Sequence, residues 1–411
     1  MAGAPEAEGG NGHRYHGLDA LRGAMMLLGI VLHAATLYLA APPPTYPFPT
    51  DRSASPAFDL LFHFIHAFRM PVFFLLSGFF AALLVERRGM AGALLNRAAR
   101  ILLPLAAAML LILPVTALAV IDFALSARFG TRELWPDPDL LYKLRLDIAA
   151  AGQPVGEPVA LHLWFLVYLV WFCLLLPAWE ALARGCAWLD AKLAGGLRRT
   201  FASPTFVFAL GLATAVTLSP FRQAQLIEGF VFFRPHPPSL AYYGLFFAAG
   251  YLLRRFPEAL RTAQEHLLSY GVMAAVLFPL GLYASLLEQA GLRGHKVHAA
   301  AAVGNGLATW ALVYTLVAAA LRWFDRPSPG VLYVSRSAYW IYLVHLPLVM
   351  ALGWLLLPWE IPAAAKFLIV VSGTALACFA SYHWLVQRSW VGAALNGRRF
   401  DMPWPRFIRN A

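Results

Sequence analysis

An all-α, polytopic integral membrane protein with about ten transmembrane helices is the fold class this sequence predicts, and three observations carry that expectation. Of its 411 residues, 60% are hydrophobic and only 13% charged, with a mean hydropathy of +0.63, whereas soluble domains sit near half apolar and a quarter charged. Apolar runs recur along the chain, most of them close to the roughly 20 residues that a helix needs to cross a bilayer core. Finally, Lys and Arg fall unevenly on the two sides that those runs define.

Taken in order, the runs are bounded by charges, Pro and Gly. The first, 18–41, follows a Gly/Ala/Glu-rich tail, and no small-residue cleavage site accompanies it, so it is expected to be retained. The second, 58–85, holds Pro71 and Gly78, which can loosen a helix and let polar groups face a cavity. The third, 101–121, follows Arg97 and Arg100, and the fourth, 161–183, opens on His162-Leu163-Trp164. The fifth and sixth, 204–218 and 240–253, are short. The seventh and eighth, 267–287 and 299–321, are followed by the ninth, 337–357, with Tyr339-Trp340-Ile341-Tyr342-Leu343-Val344-His345-Leu346-Pro347 inside it. The tenth is 365–385. The resulting division is a polar tail over 1–17, a membrane domain over 18–387 and a basic C-terminal tail over 388–411.

An even number of spans places both termini on one side. With that side cytoplasmic, 21 of the 32 Lys and Arg lie inside, 10 outside, and Arg69 within a span. The net charge of +11 is therefore a topology signal, and a nucleic-acid partner loses its main support. Cys173, Cys186 and Cys378 form no spaced pair of the disulfide or zinc kind. The outer stretch 122–160, with Asp137, Asp139, Asp147 and Glu157, and the proline-rich stretch 42–56 can cover an outward-facing site or merely connect spans.

Ionisable side chains inside spans are costly and mark candidate sites. Asp19, Arg22 and His33 share one stripe of the first helix. Arg22 and His33 are separated by roughly 16 Å along the axis, which puts the arginine near the inner face and the imidazole past mid-membrane. Interfacial anchoring by Asp19 and Arg22, with His33 bonded to a neighbouring helix, stays open as the alternative. His63, His66 and Arg69 follow at three-residue spacing; no third ligand accompanies the histidines, so metal is not expected. Arg69 calls for an anionic ligand or a structural ion pair, with Asp59 one candidate. Arg97 and Arg100, one turn apart at the inner boundary, suit a phosphate between two guanidinium forks, although topology alone also puts arginines there. His345 lies within its apolar run three residues after Tyr342, where a packed core histidine is equally admissible.

One chemistry fits an imidazole in the outer half and arginines on the inner side. A phosphorylated, anionic donor enters from the cytoplasm, and a neutral imidazole takes the proton of an incoming hydroxyl as it attacks a thioester.

These residues also carry a resemblance. Arg14-Tyr-His-Gly-Leu18-Asp19-Ala-Leu21-Arg22-Gly23 with ten residues between Arg22 and His33, Phe68-Arg69-Met70-Pro71, Phe73-Phe-Leu-Leu-Ser77-Gly78-Phe79-Phe80, Arg97-x-x-Arg100, His162-Leu-Trp164-Phe-Leu and Tyr339-Trp-Ile-Tyr342-Leu-Val-His345-Leu-Pro resemble the membrane acyltransferase 3 family over nearly the whole chain. Within that family they are most similar to the glucan-biosynthesis protein C branch, associated with succinylation of osmoregulated periplasmic glucans. The resemblance implies His33 as the catalytic residue and Arg22, Arg97 and Arg100 as donor-binding. Asp19, Arg69, Ser77, His162, Trp164, Tyr342 and His345 are expected in supporting or substrate-binding roles. It further implies acyl-CoA, succinyl-CoA first, as co-substrate with no bound cofactor, and a bacterial inner-membrane location. The expected partners are the lipid bilayer, a periplasmic glucan or other envelope glycan, and glucan-synthesis proteins. The extra soluble esterase-like domain of some family members is not expected here. The alternatives are an O-acetyltransferase acting on another envelope glycan, and a secondary transporter or flippase.

Overall fold

The computed structural model describes residues 15–43, 49–132, 137–150, 160–221, 223–224, 235–292 and 294–396. Arg14, Glu157 and the arginines beyond 396 lie outside them, as does most of the 388–411 tail. Among the described residues the chain is helical, with no strand.

Fifteen helices follow one another: α1 His16–Thr36, α2 Pro56–Arg97, α3 Leu103–Phe129, α4 Pro138–Ala150, α5 Trp164–Leu174, α6 Leu176–Lys192, α7 Gly196–Phe201, α8 Phe206–Leu218, α9 Pro237–Arg255, α10 Glu258–Glu265, α11 Leu267–Gln289, α12 His295–Trp323, α13 Pro329–Leu356, α14 Ala363–Ser381 and α15 Trp390–Asn396. Each of the ten apolar runs falls on one of these helices or on a bent pair. By length and apolar character, six helical stretches can cross a membrane, or seven if the bent pair Leu161–Lys192 is one span. That is fewer than the ten expected. Residues 58–85 and 101–121, expected as two spans, belong to one helical stretch, Pro56–Phe129. Gly89, at φ +68°, breaks it where a side chain would be strained, and a π-helical turn over Ala98–Leu102 follows. The fourth run is not straight: α5 and α6 meet at 59°. Pro177, beside Leu176, has no N–H for the helix and crowds the carbonyl one turn back. The fifth run forms only the 13 residues of α8, about 20 Å long. Part of the stretch expected as the loop 122–160 is helical, as the end of α3 and as α4. There Arg128 and Asp147 pair at 3.1 Å.

Helix α1 runs through the middle of the fold, against α2, α12, α13 and α14. Helices α8, α11 and α12 form a second group, and α2 packs along α9. That last contact depends on two glycines, because a Cβ on Gly78 would overlap the carbonyl oxygen of Phe247 and one on Gly250 that of Leu75. Opposed small residues are what let two backbones approach without a water-driven hydrophobic force between them.

Ion pairs tie separate stretches of chain together in several places. Around the ends of α2, α6, α9 and α10, Arg254 and Arg255 reach Glu86, Arg255 and Arg184 reach Glu180, and Arg198 reaches Asp190 and Glu258. Elsewhere, Lys366 is clamped on Asp51 at 2.8 Å with both side chains 2% exposed, and His298 meets Glu288.

Candidate functional site

Two cavities lie against α1, one behind the other. The wider, about 340 Å³, forms a vestibule whose walls include Arg22, Arg97, Arg100, Arg336, Ser77, Ser335 and Tyr339. The inner one, about 20 Å³, has room for about one water molecule, and its walls include His33, Arg69, His162, Trp164 and His345. Met26, Phe73, Phe165 and Tyr342 face both and form the boundary between them.

Helix periodicity explains how α1 serves both spaces. Arg22, Met26, Gly29 and His33 are three or four residues apart and so share a face, and they run in that order from vestibule to chamber. Arg22 is held by Asp19 at 3.2 Å and donates to Ser335 Oγ at 2.6 Å, with its side chain 40% exposed at the vestibule mouth. Asp19 therefore orients the arginine. The opposite wall is α13, where Arg336, Tyr339 and Tyr342 recur every three residues. Arg97 comes from the end of α2 and Arg100 from the π-helical turn. The four cations belong to three separate stretches of chain, and the density of guanidinium groups suits a phosphorylated ligand. Leu395 of α15, in the expected C-terminal tail, closes part of this vestibule.

The chamber is built around prolines. Pro347 has no N–H, so in α13 the carbonyl of Leu343, four residues back, has no helical donor. It accepts from His162 Nε2 at 2.9 Å instead, while the Tyr342 hydroxyl donates to the His162 carbonyl at 2.6 Å. Pro71 acts likewise in α2, where the freed carbonyl of Ala67 accepts from Thr309 Oγ1 at 3.0 Å. His345 turns its Nδ1 to the carbonyls of Ile341 and Tyr342 at 3.0 and 2.8 Å. Carbonyls only accept, so the N–H of His162 is at Nε2 and that of His345 at Nδ1. His162 Nδ1 and His345 Nε2 are then bare lone pairs, buried and without a protein partner. Ring centroids lie 5.2 Å apart for His33 and His345 and 5.5 Å for His162 and His345.

Arg69 faces the same space. It is 9% exposed, its Nη2 donates to Met70 Sδ at 3.6 Å, and its Nε is unpartnered. No carboxylate pairs with it among the described residues; Asp59, the candidate counter-ion, instead accepts from the backbone N–H groups of Ala40 and Ala41. The guanidinium fits because residue 29 is glycine: a Cβ there would stand 2.6 Å from Arg69 Nη1 and 3.7 Å from His345 Nε2.

Arg69, His33, His162, Trp164, Tyr342 and His345 thus meet at the chamber, and Arg22, Arg97, Arg100 and Ser77 at the vestibule. His63 and His66 face neither cavity; His66 stacks on Phe62 at 5.3 Å. Among the described residues, no cluster of His, Cys, Asp or Glu is placed to hold a metal ion. Gly29 and Arg336 are cavity residues that sequence reasoning did not single out, and Tyr339 stood in a quoted motif without a site role. The signals were a glycine one turn before His33 and the three-residue spacing that ties Arg336 to Tyr342.

The arrangement offers donors and acceptors in separate places: guanidinium groups for a developing or resident anion, bare imidazole nitrogens for a hydroxyl hydrogen. That division suits transfer of a group from an anionic donor to an alcohol.

A family model described as an acyltransferase domain matches residues 15–383. Similar curated proteins include the glucans biosynthesis protein C of Escherichia coli O6:K15:H31 (strain 536 / UPEC), 27% identical over 358 residues, and that of Escherichia coli K12, 26% identical over 357 residues. Each alignment covers 83% of this chain and 83% of the relative. No solved structure matches the chain.

Proposed function

The chain belongs to the acyltransferase domain family, and from that premise we propose that it is a bacterial inner-membrane O-acyltransferase. It moves an acyl group, succinyl in the first instance, from a cytoplasmic acyl-CoA to hydroxyls of a periplasmic glucan. The observation that carries this reading is that a four-arginine vestibule and a chamber holding three imidazoles and Arg69 adjoin and share one wall. The names of the glucans biosynthesis relatives support a glycan acceptor.

In this reading the chain has ten spans with both termini cytoplasmic, so the vestibule faces the cytoplasm. The donor's phosphates rest on Arg22, Arg97, Arg100 and Arg336. Its acyl arm passes between Met26 and Phe73, and the unbranched Met26 side chain rotates to admit it. His33 takes the proton of the attacking hydroxyl and returns it to the departing thiolate. No carboxylate pairs with Arg69 among the described residues, and a buried cation of this kind favours an anionic ligand. A dicarboxylic acyl group such as succinyl supplies one in its distal carboxylate, which is why it is preferred over acetyl.

Mass spectrometry of periplasmic glucans and envelope polysaccharides, from cells with and without the protein, tests the assignment. Loss of a succinyl mass on the glucan is expected; loss of an acetyl mass on another glycan would replace both substrates. An unchanged acylation pattern accompanied by altered uptake would favour a transporter. In the purified protein, His33→Ala is expected to abolish transfer while insertion and donor binding persist, and retention of the wild-type rate would remove His33 from the mechanism.

A further inference from the structure

His345 has no role in the steps above, yet its geometry gives it one. Its N–H is fixed at Nδ1 by two backbone carbonyls, so Nε2 offers a lone pair in a buried position where nothing in the protein donates to it. That nitrogen points at α1: it lies 3.7 Å from the place a Cβ on Gly29 would occupy, and His33 is four residues further along the same face. The His33 and His345 ring centroids are 5.2 Å apart, and an in-line N–H···N bond between two imidazoles separates their centres by about 5 Å. His162 has its N–H on the Leu343 carbonyl, so the donors left for His345 Nε2 are His33 and the Arg69 guanidinium, whose Nε is unpartnered; an imidazole–imidazole coupling tells the two apart.

We propose that His345 is the positioning partner of His33. No hydrogen bond joins the two rings in this structure; they are tilted at 45° with centroids 5.2 Å apart. As the rings turn to close it, His345 Nε2 accepts the ring N–H of His33, which selects the tautomer of His33 whose other nitrogen is bare and faces the incoming hydroxyl. During transfer the hydroxyl O–H bond breaks, its oxygen bonds the thioester carbon, and the proton goes to the bare nitrogen of His33. The carbon–sulfur bond then breaks, and the thiolate takes that proton back. His345 keeps its own proton at Nδ1 throughout and neither gains nor loses one. It plays the orienting part that a carboxylate plays for histidine in hydrolase triads, without placing a second charge beside Arg69. The inference rests on the proposed acyl transfer and deepens it.

The test has one part that needs no turnover. Full-length protein carrying ¹⁵N-histidine, in lipid nanodiscs, is expected to show an N–H···N coupling between two imidazoles. His345→Leu is expected to abolish it, and so is His33→Ala. Absence of that coupling in the wild type, or its survival in either variant, overturns the dyad whatever the enzyme transfers. The second part is kinetic. His345→Leu is expected to lower kcat about a hundredfold with the KM of donor and acceptor little changed. His345→Gln, whose amide oxygen can accept from His33, recovers part of the loss. The double variant with His33→Ala is no slower than His33→Ala alone. An unchanged kcat, a loss carried by acceptor KM, or additive losses would each overturn the assignment. Equal thermal unfolding of His345→Leu, His345→Gln and wild type keeps a folding defect out of the comparison. If the wild type transfers no acyl group while the coupling is present, the proposed function fails and the dyad stands.

Discussion

Gly29→Ala changes the chamber by a single methyl group. The new Cβ would stand 2.6 Å from Arg69 Nη1, and ordinary contact begins at 3.4 Å, so the guanidinium must retreat by at least 0.8 Å. The contacting atom is the far end of a flexible side chain, so the backbone need not move. Helix propensity works in favour of the variant, since alanine in a helix interior is preferred over glycine by up to about 1 kcal/mol. The fold should therefore hold or stiffen. A displacement near 1 Å at a group that positions substrate costs on the order of 10²-fold in rate, about 2.7 kcal/mol of barrier. The expected result is a kcat lowered ten- to a hundredfold, an unchanged affinity of the vestibule for coenzyme A, which carries no acyl carboxylate for Arg69, and no loss of thermal stability. Radiolabelled acyl transfer by the purified protein measures the first, and equilibrium binding of coenzyme A the second. Gly330→Ala, where a Cβ meets nothing within 4 Å, serves as the silent control. A Gly29→Ala enzyme with kcat within about threefold of wild type would refute the placement of Arg69 in the reaction.

Three further outcomes follow from the same geometry. Arg97→Ala, Arg100→Ala and Arg336→Ala should each raise donor KM about ten- to a hundredfold, the worth of one charge-assisted contact, and change kcat less; unchanged donor KM in all three would return these arginines to topology alone. Lys366→Met leaves the Asp51 carboxylate buried without its cation and should destabilise the protein by about 3–5 kcal/mol, read as a fall in unfolding temperature in detergent. Asp51→Leu combined with Lys366→Met should recover most of that loss, and a double variant as unstable as the single one would contradict it. Gly250→Leu forces α9 off the Leu75 carbonyl and should leave little folded protein, whereas Gly185→Leu, which meets nothing within 4 Å, should be tolerated in a stability assay of solubilised membranes.

Much of the site could be read along the chain wherever the signal was local. The stripe of Arg22 and His33 on α1 follows from helix periodicity alone, and it does lead from vestibule to chamber. Arg69 stood out because a cation inside an apolar run is expensive. His345-x-Pro347 held more than a motif, since the missing proline N–H is what frees the Leu343 carbonyl for His162. Gly29 stayed hidden because a glycine in a helix is informative only when the group that occupies the missing Cβ is known, and that group comes from another helix. Arg336 stayed hidden because an arginine at an inner span boundary satisfies topology whether or not it binds anything. One span over 161–183 was expected where α5 and α6 meet at 59°, and Pro177 marks the place of the bend.

By itself the sequence determined that this chain is helical and belongs in a membrane, where its charges gather and which buried ionisable side chains needed explaining. Those properties depend on composition, on a period of 3.6 residues and on the cost of taking charge out of water, all of which act along one dimension. Tertiary structure alone decided that four arginines from three stretches of chain share one cavity, and that Arg69 meets no carboxylate among the described residues. It also decided that Asp51 and Lys366, 315 residues apart, close on each other. Such pairings depend on which helix faces lie together, and here that is set by close approaches such as Gly78 and Gly250, whose partners are named only once the helices are packed.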